Sequence, residues 1–387
     1  MDPEGTAAAD GARPEPAPEP PAETDRRRIS WPARIAIALA VVLAAGGIAG
    51  FVIRVPYTTI APGDALSLPP LVTVQGATTF SSERGDIRLL FVREAYHVNL
   101  WQYVRARLDS EIDLAKDAAV NPANLSPSQQ QDQGLQQMAD AKSAATAVAL
   151  TAAGYKVGIQ PGLVVSDLVD KDPAIKVLNW GDIILTADGH TVTDAAALSA
   201  AIAKHAVGTQ VTLGVLRDGK QLTVHVGVTT DQGRRLIGVM VSPRFTFPLK
   251  VGVDTTGIGG PSAGLAMSLA ILDDLTPGNL TGGTRVAVTG TIDPAGNVGE
   301  IGGIEQKAVA ARAAHVSLFL VPQCSPDDPP TFLAGCKADL ARATQRAGSK
   351  IKVIPVSTFK QALAALRANG GAPVEPVAPS TSTTIAA

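Results

Sequence analysis

From Ile35 to Ile53 the chain carries no charged side chain and consists mostly of Ala, Val, Leu and Ile. About 20 such residues, wound as a helix, cross a bilayer core of roughly 30 Å. The pattern therefore predicts a transmembrane helix over 35–53. Residues 1–34 ahead of it are rich in Pro, Ala, Glu and Asp. Such a leader cannot bury enough apolar surface to fold and is expected to be disordered. Beyond the apolar segment, Leu71–Val74 and Ile87–Val92 read as strands. Leu100–Leu114 reads as a helix, and 122–137, with Gln129, Gln130 and Gln131, as an exposed loop. Met138–Ala153 is alanine-rich and helical in pattern. A strand at Leu163–Val165 is followed by a helix over Ala195–Lys204. Strands at Gln210–Arg217 and Gln221–Val228 come next, joined by an Asp218-Gly219 hairpin turn. Phe245–Val253 reads as a strand. Leu265, Ala266, Leu269 and Leu272 recur at helical spacing. Ala308–Ala314 continues a helix, Ser317–Val321 is a buried strand, and Lys360–Ala368 a last helix. Residues 369–387 are Pro, Ser, Thr and Ala with little else, the composition of a disordered tail.

Charge changes this picture in two ways. The 387 residues hold 33 Lys and Arg against 35 Asp and Glu, a net charge of −2. That excludes the basic stripe of a nucleic-acid groove, so no nucleic acid is expected as partner. Around the apolar segment the balance is uneven. Arg26, Arg27, Arg28 and Arg34 precede it, and Arg54 alone follows directly. The positive-inside rule keeps the N-terminus cytoplasmic and exports the rest, as a single-pass protein of the cell membrane. A cleaved signal peptide competes, since Gly47-Ile48-Ala49 offers small residues; the long polar leader favours an uncleaved anchor.

The candidate chemistry lies at Gly257-Ile258-Gly259-Gly260-Pro261-Ser262-Ala263-Gly264. Glycines allow positive φ and a close approach of backbone to substrate. The amides that open the following helix can stabilise an oxyanion beside a serine nucleophile. A plain turn whose serine caps the helix is the competing reading. Downstream come Thr289-Gly290-Thr291-Ile292-Asp293 and the run from Gly296 to Lys307, with Ile301-Gly302-Gly303 inside it. Together, Ile258 to Pro322 resembles the proteolytic domain of Lon-type serine proteases, more closely the membrane-anchored, PDZ-bearing Lon-like proteases of bacteria. The resemblance implies that Ser262, in Gly-Pro-Ser-Ala-Gly, is the nucleophile, and that Lys307 is its base. It implies that Thr289 holds the lysine, and that Gly260, Pro261 and Ala263 shape the turn and oxyanion site. A lysine can act so only if neutral, which burial among Ile301, Ile304 and Val309 would favour. An exposed lysine paired with Glu300 or Glu305 is the alternative. The five histidines are scattered, and only His315 follows the serine. With Asp293 it leaves an esterase of the Gly-x-Ser-x-Gly type as a rival.

Tyr155 to Thr230 resembles a PDZ domain, through Leu163-Val164-Val165, Leu178-Asn179-Trp180-Gly181-Asp182-Ile183-Ile184 and Asp188-Gly189. Such domains bind extended peptides at a sheet edge. The resemblance implies a groove between Leu163, Val164 and Val165 and the helix after Ala195, capped by Gly158-Ile159-Gln160-Pro161. The expected fold is an α/β (α+β) Lon-type proteolytic domain with an inserted PDZ domain, behind one transmembrane helix. In residues, 57–154 would be the first part of the protease domain, 155–232 the PDZ domain and 240–368 the rest. No Gly-x-x-x-x-Gly-Lys-Ser/Thr run occurs, which points to an ATP-independent endopeptidase acting on flexible exported polypeptides. No metal site and no cofactor are expected. Cys324 and Cys336 are expected to form a disulfide if exported. The family also implies a homo-oligomeric ring. A reading of another class remains: a catalytically silent PDZ scaffold that captures peptides.

Overall fold

The computed structural model describes residues 30–80, 85–231, 233–375 and 377. Most of the expected leader, with Arg26, Arg27 and Arg28, and most of the expected tail lie outside the described residues. The chain divides into two units, residues 1–52 and 53–387. The first holds helix α1, Trp31–Val52, of mean hydropathy 2.6 over its most apolar stretch. It is long and apolar enough to cross a membrane, and starts earlier than expected because Pro32 is tolerated in a first helical turn.

The second unit is built on a six-stranded sheet. Its strands from the first half of the chain are β1 (Tyr57–Ser67), β3 (Asp86–Ala95) and β4 (Asp113–Lys116). Between β1 and β3 lies β2 (Val72–Gln75). Helices α2 (Leu100–Leu108) and α3 (Pro127–Ala152) flank β4. A second sheet follows, made of β5 (Gly158–Leu168), β6 (Ile183–Ala187), β7 (Gln210–Arg217), β8 (Lys220–Gly227) and β9 (Val239–Thr246). Its helix α4 (Ala195–Ile202) enters after β6. The chain then returns to the first sheet. β10 (Lys250–Val253) pairs with β2, and α5 (Gly264–Leu275) leads to β11 (Arg285–Val288). Helix α6 (Ile304–Ala313), β12 (Leu318–Pro322), α7 (Pro330–Ala347), β13 (Lys352–Val356) and α8 (Phe359–Ala368) complete it.

The first sheet runs β13-β12-β11-β3-β1-β4, parallel from β3 to β13 and antiparallel beyond. Because side chains alternate along a strand, each central strand serves two cores. Ile87, Leu89, Val286, Val288, Leu318 and Leu320 point to one face, where α3, α5 and α8 pack. Leu90, Ala287, Phe319 and Val321 point to the other, against α6 and α7. Every residue of α5 is buried, Ser268, Asp273 and Asp274 included, so it has no solvent-facing side. The second sheet, in the order β9-β5-β6-β7-β8, folds around its own core with Leu198 and Ile202 of α4. It is inserted between two halves of the first.

Three expectations are corrected. The helix from Leu100 ends at Leu108; Asp109 is extended, and Leu114 is taken into the sheet opposite Thr59. The glutamine-rich stretch is not a loop but the first half of α3. Ser126 accepts from the Gln129 amide, and Gln129 Oε1 accepts from the Ser126 amide. This Ser-x-x-Gln capping box starts the helix despite its polarity. Third, Phe245–Val253 is split between β9 and β10, around Pro248.

Cys324, just past β12, is disulfide-bonded to Cys336 in α7. Loop-closure entropy for so short a loop is worth about 3 kcal/mol. The melting temperature of the wild type should therefore fall on adding reductant. That of the Cys324→Ser/Cys336→Ser double variant should be low from the start and unresponsive.

Candidate functional site

The strand order brings Ser262 and Lys307 together. Ser262 ends the glycine turn ahead of α5, and Lys307 stands in the first turn of α6. Between them lies the Thr289-Gly290 corner after β11. Its Gly290 amide donates to the Ser262 carbonyl at 3.0 Å, and the Leu265 amide donates back to Gly290 at 3.1 Å. Lys307 Nζ is 2.8 Å from Ser262 Oγ and 3.2 Å from Thr289 Oγ1. Thr289 Oγ1 in turn donates to the Ser262 carbonyl at 3.3 Å. Gly303 opens α6 in the left-handed region at φ 65°, where a Cβ would meet Val92 Cγ1 at 2.7 Å. Only glycine fits, which fixes where the lysine helix begins.

Lys307 is 2% exposed. Burial pulls its amine down to about 7, with the Glu94 carboxylate opposing. The exposed, ion-paired alternative for this lysine is thereby ruled out. Glu305 instead pairs with Arg342 and Arg346 of α7.

The dyad opens on a cleft of about 490 Å³ lined by Glu94, Tyr96, Gln133, Gly259, Thr291 and Glu300, among others. Tyr96 donates to Glu94 at 2.6 Å. One wall is the polar half of α3, which the sequence pattern had suggested was a loop. The Gly260 amide donates 2.9 Å to the Gly134 carbonyl of that helix. Gly260 (φ 87°) is thus a turn residue, as expected, but its amide is already committed. The amides of Ser262 and Ala263 lie just ahead of α5.

Asp167 of β5 ties α3 to the second sheet, a role that no sequence motif announced. Its carboxylate accepts from Gln133 at 2.8 Å, Gln137 at 3.1 Å and the Trp180 indole at 3.2 Å. A second cavity of about 580 Å³ adjoins, reaching from Asp140 and Asp167 to Met240, Pro261 and Thr291. Burial there pushes the Asp140 carboxyl up to about 6, opposed by a hydrogen bond from Gln136 and aided by Asp167.

The expected peptide edge is corrected. Leu163, Val164 and Val165 lie in an interior strand, paired to Pro243, Ser242 and Val241 of β9. On its other side, Leu163 and Val164 pair to Ile184 and Ile183 of β6. No strand can be added there. Gly158, Ile159 and Gln160 are likewise paired, to Thr246, Phe245 and Arg244, and cap nothing. The edge strands of this sheet are β8 and β9, and β9 is the one that borders a groove beside α4. A groove of about 1070 Å³ runs between β9 and α4, lined by Leu198, Ile202, Arg235, Ile237, Val239 and Val241. It begins at Leu236-Ile237-Gly238, where Gly238 has φ 81° and a Cβ would clash with Asp172. The signal was present in this apolar-Gly-apolar run, but it follows the hairpin instead of preceding β5.

Among the described residues the one cluster of potential metal ligands is Glu300 with Cys324 and Cys336, whose sulfurs are bonded to each other. His315 and Asp293 make no contact with Ser262 among the hydrogen bonds of the described residues, which removes the support for an esterase triad.

Comparison with known proteins finds two domain types in the chain. Residues 249–366 match the Lon protease (S16) C-terminal proteolytic domain, and residues 135–228 match the PDZ domain. The chain is 31% identical over 115 residues to the Lon protease of Neorickettsia sennetsu, covering 30% of this chain and 12% of that protein. It is 27% identical over 194 residues to the Lon protease of Campylobacter concisus, 49% of this chain and 21% of that one. It is 38% identical over 76 residues to the periplasmic serine endoprotease DegP of Escherichia coli, 19% and 16%. The chain thus spans between about a tenth and a fifth of these relatives' length.

Two outcomes follow from this geometry. Lys307→Met should raise folding stability, by roughly 1–3 kcal/mol at pH 7, because the unfolded lysine holds a proton that burial disfavours. The gap over wild type is full below about pH 7 and closes as pH rises towards 10, where the unfolded lysine also loses its proton. Urea titrations at several pH values read both signs. Asp167→Ala should release α3 from the second sheet and raise hydrogen exchange at Gly260 and across 130–137 by about tenfold, the equivalent of one hydrogen bond to a charged group.

Proposed function

We propose that this chain, in which a Lon-type proteolytic domain is joined to a PDZ domain, is a membrane-tethered serine endopeptidase with a Ser262–Lys307 dyad. The observation that carries the reading is the 2.8 Å contact between Lys307 Nζ and Ser262 Oγ, made by an amine whose burial favours the neutral form. A neutral Nζ accepts the serine proton through its lone pair while donating to Thr289, which keeps the lone pair aimed at Oγ. Ser262 Oγ then attacks the peptide carbonyl carbon. The resulting oxyanion is met by the amides of Ser262 and Ala263, just ahead of α5, where the helix dipole also favours negative charge. The protonated Lys307 gives its proton to the leaving amine, and the acyl-serine is hydrolysed by water activated by the same amine. Nothing in these steps consumes a nucleotide.

Substrates on this reading are flexible polypeptides. The groove along β9 would hold an extended segment as an added strand, and the apolar walls from Leu198, Ile202 and Val241 would receive alternate side chains. The α1 segment would anchor the chain with its N-terminus in the cytoplasm and its catalytic unit outside. The Cys324–Cys336 disulfide fits an oxidising compartment.

Purified wild type should cut casein without ATP, and Ser262→Ala or Lys307→Ala should each abolish cleavage. A fluorophosphonate probe should label Ser262 and lose most of its rate in Lys307→Ala. Persisting cleavage in either variant sinks the dyad. Since only the free amine acts as base, kcat/KM should rise with pH through a single titration near 7 and level off above it. A profile that falls across pH 6–8 contradicts the assignment.

A further inference from the structure

Between α6, the end of β12 and the first turns of α7 lies a cavity of about 360 Å³ that the chemistry at Ser262 does not use. Its walls are mostly apolar: Ile301, Ile304, Pro322, Phe332, Cys336 and Leu340. Phe332 is 56% exposed, a large side chain that only something entering the cavity would cover. Glu300 and Ile301 line this cavity and the catalytic cleft alike, so the two spaces adjoin. The backbone explains the shared wall. Thr291, just beyond Thr289, pairs with Gly299, which sets Glu300 beside the catalytic corner. Ile301 then leads through Gly302 and Gly303 into the lysine helix.

Glu300 is the odd member of that wall. Its Oε1 is buried and takes no hydrogen bond among the described residues. Leaving a carboxylate unpaired away from water is costly. Burial pushes its carboxyl upward, and Asp328 and Asp339 add to the push. The arginines of α7 are committed elsewhere, Arg342 to Glu305 and Asp339 and Arg346 to Glu305. A carboxylate oxygen of Glu300 lies within 4.8 Å of the sulfurs of Cys324 and Cys336, but a disulfide has no hydrogen to donate. In the adjoining cleft, Lys307 is turned to Ser262 and Thr289, and Glu94 already accepts from Tyr96.

We propose that this cavity receives a lysine or arginine side chain of the polypeptide held at Ser262, its stem against Ile304, Phe332 and Leu340 and its head on Glu300. Cleavage is thereby directed to bonds near basic residues. The inference rests on the reading of the cleft as a protease site. Two features of the cavity select this occupant. A long basic side chain has an apolar stem that such walls can cover and a cationic head that a carboxylate holds well. A leucine or phenylalanine would fill the same walls but seal Glu300 in without a partner.

The test uses the full chain in detergent micelles and two short Ala/Ser/Thr peptides that differ at one central residue. One carries lysine there, and the other norleucine, which keeps an apolar stem but has no amine. Cleavage should favour the lysine peptide about tenfold in kcat/KM, the value of one hydrogen bond to a charged group. Glu300→Gln should abolish that preference. Both peptides are compared on the same variant, so any loss at the dyad cancels. Phe332→Arg, a surface change that puts a cation of the chain's own into the cavity, should abolish it too without altering Glu300. In Ser262→Ala, binding of the same two peptides, read by fluorescence anisotropy, should show the same preference. No cleavage by the wild type, with that binding preference intact, sinks the protease reading and keeps the pocket. Equal binding of the two peptides, a preference for norleucine, or a lysine preference that survives Glu300→Gln overturns the pocket and leaves the dyad untouched.

Discussion

A lysine amine held out of water beside a serine hydroxyl is the constraint on which the rest of the catalytic unit depends. Bringing Lys307 from its usual range to about 7 costs on the order of 4 kcal/mol, a large share of what a domain has to spare. The fold supplies the dry setting with the two layers that flank its sheet. The fully buried α5 presents Ser262 from one side, and α6 presents Lys307 from the other. The two meet over the ends of the parallel strands, with Thr289 at the end of β11 between them. Few arrangements of one sheet could place a turn and a helix start so close without exposing either. The left-handed Gly303 and the crowded Gly264, whose Cβ would meet Ile292 at 2.8 Å, show how tightly the backbones converge.

The cluster of Ser262, Thr289 and Lys307 was legible because its signals are local. The turn around Ser262, the Thr289-Gly290 corner and the Ile-Gly-Gly run before Lys307 each carry their own signal. The apolar strands β3 and β12 and the hairpin at Asp218-Gly219 were legible for the same reason. What was misread depends on distant partners. The glutamines of α3 look like loop residues until Asp167 of β5 and the turn at Gly260 are placed against them. Val164 looks like a peptide-binding edge until β9, about 80 residues later, is found to cover it. Leu114 belongs by pattern to a helix and by pairing to a strand. Helix α7 escaped notice because a half-buried amphipathic segment rich in alanine resembles linker sequence, and β13 because its five residues include Pro355.

The two sheets are joined through polar groups more than through apolar packing. Asp167 holds two glutamines of α3, and that helix accepts the Gly260 amide next to the nucleophile. Asp167 also stands opposite Met240 in β9, the strand that borders the groove beside α4. Groove, helix and catalytic turn therefore form one contiguous set of contacts. A helix this polar owes its position to those hydrogen bonds, since its first half buries little. A handful of hydrogen bonds thus joins the second sheet to the turn that carries Ser262.

The central claim concerns one proton, and it can be observed directly. Nitrogen-15 labelling of lysine side chains, with the Lys307 Nζ resonance assigned by its loss in Lys307→Met, allows that amine to be titrated by NMR. A midpoint near pH 7, moving upward when Ser262→Ala opens the pocket to water, is the predicted result. A resonance that stays ammonium-like to pH 9 or above would contradict a neutral base at rest, and with it the account of how this site works.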